Sequence, residues 1–333
     1  MRSFLLLSTC VLMMAGCSGP EAPVGEAMGP PVLEAAQMVT ADGYVLPLRY
    51  WPAEGAEAQR AVVLALHGFN DHGGGFAVLA GALVAYGVSV YAYDQRGFGA
   101  TADAGAWPGK DTLVADARTA AELLRERYPD TPVYLLGKSM GGAVALLLMS
   151  DDRPAPVDGT VLVSPAVVGE DLVPRYQSVL LRLADSVVPG LPLPAGLGPT
   201  LGYRPSDDPA VMERLRQDPL VLDYPRVHAV AGLASLMDAA LAAAPELEGP
   251  VLLLYGARDD LVPIPAMCRL LEAVELSPGS GRWRAVVYPE GYHLLTRYSG
   301  AAQTHRVIGD WLFAEPQPGV PVSEARLELC RPS

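Results

Sequence analysis

The sequence lacks the features that mark metal-binding and nucleic-acid-binding proteins. It has four cysteines and no C-x-x-C pair, which argues against a structural zinc site. It has no run of basic residues, and 24 basic against 37 acidic residues give a net charge of −13, which argues against nucleic acid as a partner. We therefore expect neither a metal nor a nucleic acid among its ligands.

The chain also lacks an N-terminal apolar run long enough to span a bilayer. Arg2 is followed by the short apolar run Phe4–Met14 and then by Met14–Cys17, a small-residue cleavage site that ends in cysteine. This pattern resembles the lipobox of bacterial lipoproteins, which implies a signal peptide over residues 1–16 and acylation of Cys17. The implied location is the cell envelope, with a lipid anchor in the outer membrane. An ordinary signal peptide is the alternative.

Composition divides the rest of the chain into segments. Residues 17–35 begin with the cysteine whose lipidation the lipobox resemblance implies, and their richness in Pro and Gly predicts a flexible linker. Residues 36–315 alternate between short apolar strands and helices, which predicts an α/β domain with a mostly parallel, eight-stranded sheet and helices on both faces. A Pro-rich apolar segment at about 165–234 breaks the alternation and indicates an inserted helical lid or, alternatively, a second packing layer. Residues 316–333 form a Pro-rich C-terminal tail.

The motif G-K-S-M-G lies at residues 137–141, between an apolar run of strand length and an Ala- and Leu-rich run of helix length. A serine in such a strand-turn-helix has a strained backbone, and Gly137 and Gly141 avoid collisions there. The amide of Met140 would lie at a helix N-terminus, which suits a developing oxyanion. The motif predicts Ser139 as a nucleophile.

A serine nucleophile needs a base and an acid that orients this base, and on this kind of sheet both follow the serine in the chain. The acid is expected directly after a later strand, where Asp259 and Asp260 follow an apolar run. Asp259 is preferred because Asp260 is interpreted as the N-cap residue of a helix that would start next to it. Glu170, after the preceding strand, is a third candidate. The base is expected after the last strand, where His293 is the only histidine in such a loop.

The other histidines are weaker candidates for the base. His67 follows an apolar strand and is interpreted as a support for its loop, His228 lies near the return of the lid, and His305 lies in the terminal helix. The loop after His67 is expected to supply a second oxyanion amide, that of Phe69, beside the amide of Met140.

Two cysteines remain once the signal peptide is removed and Cys17 is acylated. They are Cys268 and Cys330. Because the compartment would be oxidising, we expect them to form a disulfide that attaches the C-terminal tail to the helix beyond Asp259.

Six motifs occur in the same order over about 230 residues as in a known family. They are H-G-x-x-x-H at 67–72, D-x-R-G-x-G at 94–99, G-x-S-M-G-G at 137–142, D-P-L at 218–220, G-x-x-D-x-x-V-P at 256–263 and G-x-H at 291–293. The chain thereby resembles the monoacylglycerol lipase and lysophospholipase-like branch of the α/β-hydrolases, which is also grouped with the serine aminopeptidases. The resemblance implies an α/β-hydrolase fold with an inserted lid.

Carried over motif by motif, the resemblance assigns Ser139 as nucleophile, Asp259 as acid, His293 as base, and the amides of Phe69 and Met140 as the oxyanion hole. It implies a serine ester hydrolase that cleaves single-acyl-chain lipids, such as monoacylglycerols or lysophospholipids, through an acyl-enzyme. No metal or organic cofactor is implied. One alternative is peptide hydrolysis at a free N-terminus on the same triad, and another is a binding lipoprotein without turnover. The apolar composition of the lid favours lipid over peptide.

Overall fold

One ten-stranded sheet runs through the described part of the chain. The computed structural model describes residues 23–54, 59–169, 172, 174–193, 203–313 and 317–331, so that the expected signal peptide and Cys17 lie outside the described residues. The strands are β1 (Val32–Leu33), β2 (Gln37–Val39), β3 (Val45–Trp51), β4 (Ala61–Leu66), β5 (Val88–Tyr93), β6 (Val133–Lys138), β7 (Gly159–Val163), β8 (Val251–Gly256), β9 (Trp283–Tyr288) and β10 (Val320–Pro321).

The strand order is β1-β2-β3-β5-β4-β6-β7-β8-β9-β10. Pairing is parallel from β5 across to β9, and antiparallel for β1 to β3, for β3 with β5 and for β10. The eight predicted strands are β2 to β9, and the predicted fold class is confirmed. The sequence does not predict β1 and β10, because strands of two residues carry no readable periodicity.

Helices cover both faces of this sheet. They are α1 (Ala77–Val84), α2 (Lys110–Arg127), α3 (Met140–Met149), α4 (Arg175–Val187), α5 (Pro209–Gln217), α6 (Val227–Ala243), α7 (Ile264–Glu275), α8 (Ala301–Phe313) and α9 (Val322–Leu329). Helices α1 and α8 contribute to the core on one face, whereas α2, α3 and α7 contribute to the core on the other. Every residue of β4, β5 and β8 is buried, as expected for strands covered on both faces.

Residues 23–35, the described part of the segment expected as a flexible linker, contain β1 and a hydrogen-bonded stretch before it. Residues 23–28, which we call the strap, lie against the domain: the Gly25 amide donates to the Asp42 carboxylate at 2.8 Å, and the Met28 amide donates to the Ala41 carbonyl at 2.7 Å. Arg96 donates to the Pro23 carbonyl at 3.3 Å. Composition predicts a solvated chain here because Pro and Gly bury little apolar surface, but hydrogen bonds to a distant turn hold the strap in place.

The C-terminal tail is also more ordered than its proline content suggests. Val320–Pro321 pairs with β9 in antiparallel fashion, and α9 follows directly. Cys330, at the end of α9, is bonded to Cys268 of α7 in a disulfide, with the two Cα atoms 5.8 Å apart. The structure therefore contains the pairing that the cysteine count predicts.

The insertion at 165–234 contains α4, α5 and the start of α6, and we refer to it as the lid. Asp208 is the N-cap of α5, and its carboxylate accepts from the amides of Ala210 and Val211. By length and composition alone, Val227–Glu246 could cross a membrane. Three residues of this segment, Leu236, Ala240 and Ala244, are nevertheless fully buried in the core.

Candidate active site

The predicted nucleophile Ser139 lies in the sharp turn between β6 and α3. Its backbone has φ 52° and ψ −118°, a conformation that residues with a side chain rarely adopt. Close approach of the backbone requires glycine on both sides. A Cβ on Gly137 would lie 2.3 Å from the carbonyl oxygen of Gly141, and a Cβ on Gly141 would lie 2.1 Å from that of Leu66. The turn therefore has the geometry that its glycines predict.

Backbone hydrogen bonds to the neighbouring strands fix this turn. The Ser139 amide donates to the Val163 carbonyl at 3.0 Å, at the end of β7. The Gly141 amide donates to the His67 carbonyl at 3.0 Å, directly after β4. Because β4 and β7 flank β6, the serine is held at the carboxyl edge of the sheet, where α/β proteins place their sites.

Asp259 and His293 form a buried pair. Nδ1 of His293 lies 2.8 Å from Oδ2 of Asp259, and only 5% of the histidine side chain and 0% of the aspartate side chain are exposed. The other carboxylate oxygen, Oδ1, accepts from the amides of Leu261 and Val262 at 2.9 Å each. Since the carboxylate is the acceptor, the imidazole donates from Nδ1, and its Nε2 is left as a proton acceptor.

The two loops that carry this pair follow the parallel strands β8 and β9 and are joined by their own backbones. The Ala257 amide donates to the Tyr288 carbonyl and the Arg258 amide to the Gly291 carbonyl, both at 2.9 Å. Of the other two acids, Asp260 is exposed, and the carboxylate bonded to the histidine is that of Asp259. Glu170 lies outside the described residues.

The loop after β4 lies close to the turn that carries Ser139. A Cβ on Gly68 would lie 3.2 Å from Cβ of Ser139, so glycine permits this approach. Among the described residues, no acceptor takes a hydrogen bond from the amide of Phe69 or of Met140. The two amides named from the sequence are thus available as donors beside the serine.

Ser139 and His293 line one cavity of about 400 Å³. Much of its wall is apolar, including Leu233 and Met237 of α6. Met237 also lines a larger cavity of about 1020 Å³ between α4 and α6. The serine and histidine therefore share an apolar pocket that adjoins a second space under the lid.

A buried cluster of charges that no sequence pattern predicts lies in the wall of the same cavity. Nζ of Lys138 lies 3.1 Å from Oδ2 of Asp71, and the Arg297 guanidinium binds the same oxygen. Burial opposes ionisation of Asp71, but the two cations outweigh it and hold the pKa of Asp71 well below its usual range. Burial also lowers the pKa of Lys138 to about 8. The two motifs that carry Asp71 and Lys138 are visible in the sequence, whereas their pairing is not.

Two other histidines near the site have structural partners. His67 is buried, which lowers its pKa to about 4, and its Nε2 accepts from the Gln95 amide at 2.9 Å. His67 therefore supports its loop, as its position directly after an apolar strand predicts. His72 accepts from the Gly74 amide through Nδ1, so its Nε2–H donates to Asp218 at 2.9 Å. This bond connects the H-G-x-x-x-H loop to the D-P-L motif of the lid.

The fold and the order of these loops define a class of protein. A mostly parallel sheet with a serine turn after one strand, an acid after a later strand and a histidine after the next is the α/β-hydrolase arrangement. Residues 57–297 match the family described as "Serine aminopeptidase, S33". The chain belongs to this family.

Individual relatives are lipases. The chain is 28% identical over 268 residues to the monoglyceride lipase of Homo sapiens, which covers 80% of this chain and 85% of the relative. It is 30% identical over 277 residues to the monoglyceride lipase of Mus musculus, and this alignment covers 80% of this chain and 86% of the relative. The crystal structure of Paleococcus ferrophilus monoacylglycerol lipase aligns with a TM-score of 0.65 at 27% identity, and covers 80% of this chain and 98% of that one. These relationships establish the chain as an ester hydrolase.

The charge cluster leads to a prediction about stability. Replacement of Asp71 by Asn should lower the free energy of unfolding by roughly 3 kcal/mol or more, because it leaves two buried cations with no carboxylate. Asp151→Asn is the matched control, since its pair with Arg118 is exposed and should contribute less than about 1 kcal/mol. Denaturant unfolding of both variants measures the difference, and equal losses would contradict the prediction.

Proposed function

We propose that Ser139, His293 and Asp259 form a catalytic triad that hydrolyses carboxylic esters of single-acyl-chain lipids. The observation that carries the proposal is the hydrogen bond between Asp259 and His293, a histidine that lines the same cavity as the strained Ser139 turn. A histidine oriented through Nδ1 is a base at Nε2, which is the arrangement that activates a serine.

In this mechanism the Ser139 oxygen attacks the ester carbonyl carbon while its proton passes to Nε2 of His293. The ester C–O bond then breaks, and the imidazolium returns the proton to the leaving alcohol. A water molecule attacks the acyl-enzyme, His293 takes its proton, and the acyl–serine bond breaks as this proton returns to Ser139. The amides of Phe69 and Met140 stabilise the oxyanion in both steps, and Asp259 stabilises the imidazolium.

The apolar wall of the pocket supports an acyl chain as the part of the substrate that is bound. Monoacylglycerol is the favoured substrate, because named relatives at 28% and 30% identity are monoglyceride lipases that this chain covers to about 85%. Lysophospholipids share the single acyl chain and remain within the proposal.

Peptide hydrolysis at a free N-terminus is the weaker reading, although the family description names it. Such a site needs a carboxylate that holds an ammonium group. Three described acidic residues of the lid have other partners: Asp185 binds His228, Asp207 binds Ser299 and Asp208 caps α5. Asp71 lies in the cavity wall, but Lys138 and Arg297 already neutralise it.

We also propose that Cys17 is acylated and anchors the domain in the outer membrane of the cell envelope. The support is the cleavage pattern at Met14–Cys17 after the short apolar run. The anchor would keep the enzyme next to lipids, which are its proposed substrates.

Activity of triad variants tests the catalytic assignment. Ser139→Ala and His293→Ala should each lower kcat by roughly 10⁴-fold or more, and the double variant should be little worse, because members of a triad act as one unit. Asp260→Asn is the matched control for Asp259→Asn, since the two acids are adjacent and only Asp259 contacts the histidine. Substantial esterase activity in Ser139→Ala would refute the mechanism.

A series of monoacylglycerols of increasing chain length tests the substrate. kcat/KM should rise by up to about fourfold for each added CH₂ until the pocket is full, because each buried CH₂ contributes about 0.8 kcal/mol. An aminoacyl amide measured in parallel represents the peptidase reading. A flat chain-length profile with faster amide cleavage would overturn the lipid assignment and leave the triad in place.

Intact-mass analysis of the membrane-extracted protein tests the anchor. The mature chain should begin at Cys17 and carry the mass of its acyl groups. Cys17→Ser should give an uncleaved or soluble protein with unchanged specific activity on dispersed substrate, because the anchor lies outside the catalytic domain. Cleavage at another position, with an unmodified Cys17, would contradict the proposal.

A further inference from the structure

The oxyanion loop, residues 67–70, is held partly by hydrogen bonds and partly by the ring of Phe69. Nε2 of His67 accepts from the Gln95 amide, so its Nδ1 donates to the Gly68 carbonyl at 2.8 Å. The Phe69 amide is free of acceptors among the described residues, as the proposed oxyanion donor must be. Packing of the Phe69 side chain therefore helps to fix the position of this amide.

Three aromatic rings pack together at this loop. The centroid of the Phe69 ring lies 5.6 Å from that of Phe98 and 6.4 Å from that of Trp107. The rings of Phe98 and Trp107 are 6.5 Å apart in an edge-to-face arrangement, and only 1% and 5% of these two residues are exposed. Aromatic pairs at these separations attract each other in addition to burying apolar surface. The two buried rings therefore hold the side chain of Phe69.

Trp107 also contacts the lid, at Gly232 of α6. A Cβ on Gly232 would lie 2.2 Å from Nε1 and 2.3 Å from Cε2 of the indole, a separation that a real side chain cannot reach. Glycine is an unfavourable residue inside a helix, and here the contact with Trp107 requires it. The indole thus fills the space between the oxyanion loop and a helix of the lid.

The same helix forms part of the wall of the catalytic pocket. Leu233 and Met237 of α6 line the cavity that contains Ser139, and so does Phe69. Trp107 instead lines two neighbouring cavities, and the larger of these shares Met237 with the catalytic pocket. An acyl chain bound at Ser139 would therefore touch the helix against which Trp107 packs.

A backbone hydrogen bond makes a second connection between the lid and the oxyanion loop. Asn70, which follows Phe69, has φ 60°, and its carbonyl accepts from the Leu222 amide of the lid at 2.9 Å. A left-handed backbone at a residue other than glycine is uncommon and persists where neighbouring groups hold it. The lid is thus connected to the residue after Phe69 and, through Trp107, to the Phe69 ring.

We propose that Trp107 is a positioning residue that couples lid helix α6 to the oxyanion amide of Phe69. An acyl chain that packs on α6 holds this helix against Trp107, and Trp107 holds the Phe69 ring so that its amide meets the oxyanion. Part of the binding energy of the acyl chain then acts in the transition state, so that a longer chain raises kcat as well as kcat/KM. The inference rests on the proposed triad and oxyanion hole.

Exchange of the helix glycine tests the coupling from the side of the lid. Gly232→Ala puts a methyl group where the indole lies, whereas Gly81→Ala in α1 is the matched control, because a Cβ there would meet no side chain or distant backbone within 4 Å. With a long-chain monoacylglycerol, Gly232→Ala should lower kcat by roughly tenfold or more and change KM by less than about threefold, since a displaced oxyanion donor acts on the transition state. Gly81→Ala should have the kcat and KM of the parent. Equal kcat values for the two variants would overturn the inference.

Replacement of Trp107 tests the coupling at its centre. Trp107→Phe keeps an aromatic ring and should retain most of the parent's kcat. Trp107→Leu should lower kcat for long chains by roughly tenfold or more and make kcat independent of chain length, whereas KM should still fall as the chain grows, because the apolar pocket wall is unchanged. A chain-length dependence of kcat in Trp107→Leu equal to that of the parent would contradict the coupling.

The affinity for an alkylboronic acid reports on the oxyanion amides directly. Its boron forms a bond with the Ser139 oxygen, the serine proton passes to His293, and an oxygen of the resulting tetrahedral anion accepts from the oxyanion amides. The dissociation constant of the boronic acid should rise in Gly232→Ala by the same factor as kcat falls, and that of the alcohol with the same chain, which only fills the pocket, should stay unchanged. A lowered kcat with unchanged affinity for the boronic acid would overturn the inference.

These outcomes separate the inference from the proposals beneath it. A flat chain-length profile of the parent with faster amide cleavage would overturn the lipid assignment, whereas a rising profile of the parent that Trp107→Leu leaves unaltered would overturn only the coupling. Denaturant unfolding detects damage to the fold, and if Trp107→Leu does not fold, the comparison of Gly232→Ala with Gly81→Ala decides.

Discussion

The strained backbone of Ser139 is the constraint on which the rest of the site depends. A residue with φ 52° and ψ −118° costs of order 1–3 kcal/mol and persists only where its surroundings hold it. Here the ends of β4 and β7 hold it through hydrogen bonds, and glycines at 137 and 141 let the backbones meet. The sheet therefore holds Ser139 in its strained conformation and places the serine side chain above the carboxyl edge of the strands.

Much of this arrangement could be predicted from the sequence because it is local. Gly137 and Gly141 reveal a close approach, the apolar runs on either side of Ser139 have strand and helix lengths, and the order of serine, acid and histidine follows from parallel strands. Apart from the family motif, only the interpretation of Asp260 as a helix cap separated it from Asp259, and that interpretation is wrong, because α7 begins at Ile264 with Pro263 as its N-cap. The structure gives a different reason for the same preference: the carboxylate of Asp259 accepts from the Leu261 and Val262 amides and from His293 at once.

The features that the sequence does not reveal are contacts between distant segments. The Asp71–Lys138–Arg297 cluster joins two loops to the end of β6, and neither charge pattern nor periodicity indicates which cation meets which carboxylate. The strap likewise has the composition of a solvated linker. The hydrogen bonds that hold it join its backbone groups to the side chains of Asp42 and Arg96, so its own side chains do not reveal them. Periodicity reports local burial, whereas these contacts depend on the completed fold.

The disulfide between Cys268 and Cys330 encloses the part of the chain that carries His293 but not the part that carries Ser139. The two cysteines are 62 residues apart, and the ring that they close contains β9, the His293 loop, α8 and β10. Asp259 lies just before this ring, and Ser139 lies far outside it. In the chain-entropy view, the bond restricts the unfolded conformations of the segment that carries the base and leaves those of the nucleophile free. The nucleophile half of the site is ordered by burial and hydrogen bonding alone, whereas the base half is also ordered by a covalent cycle.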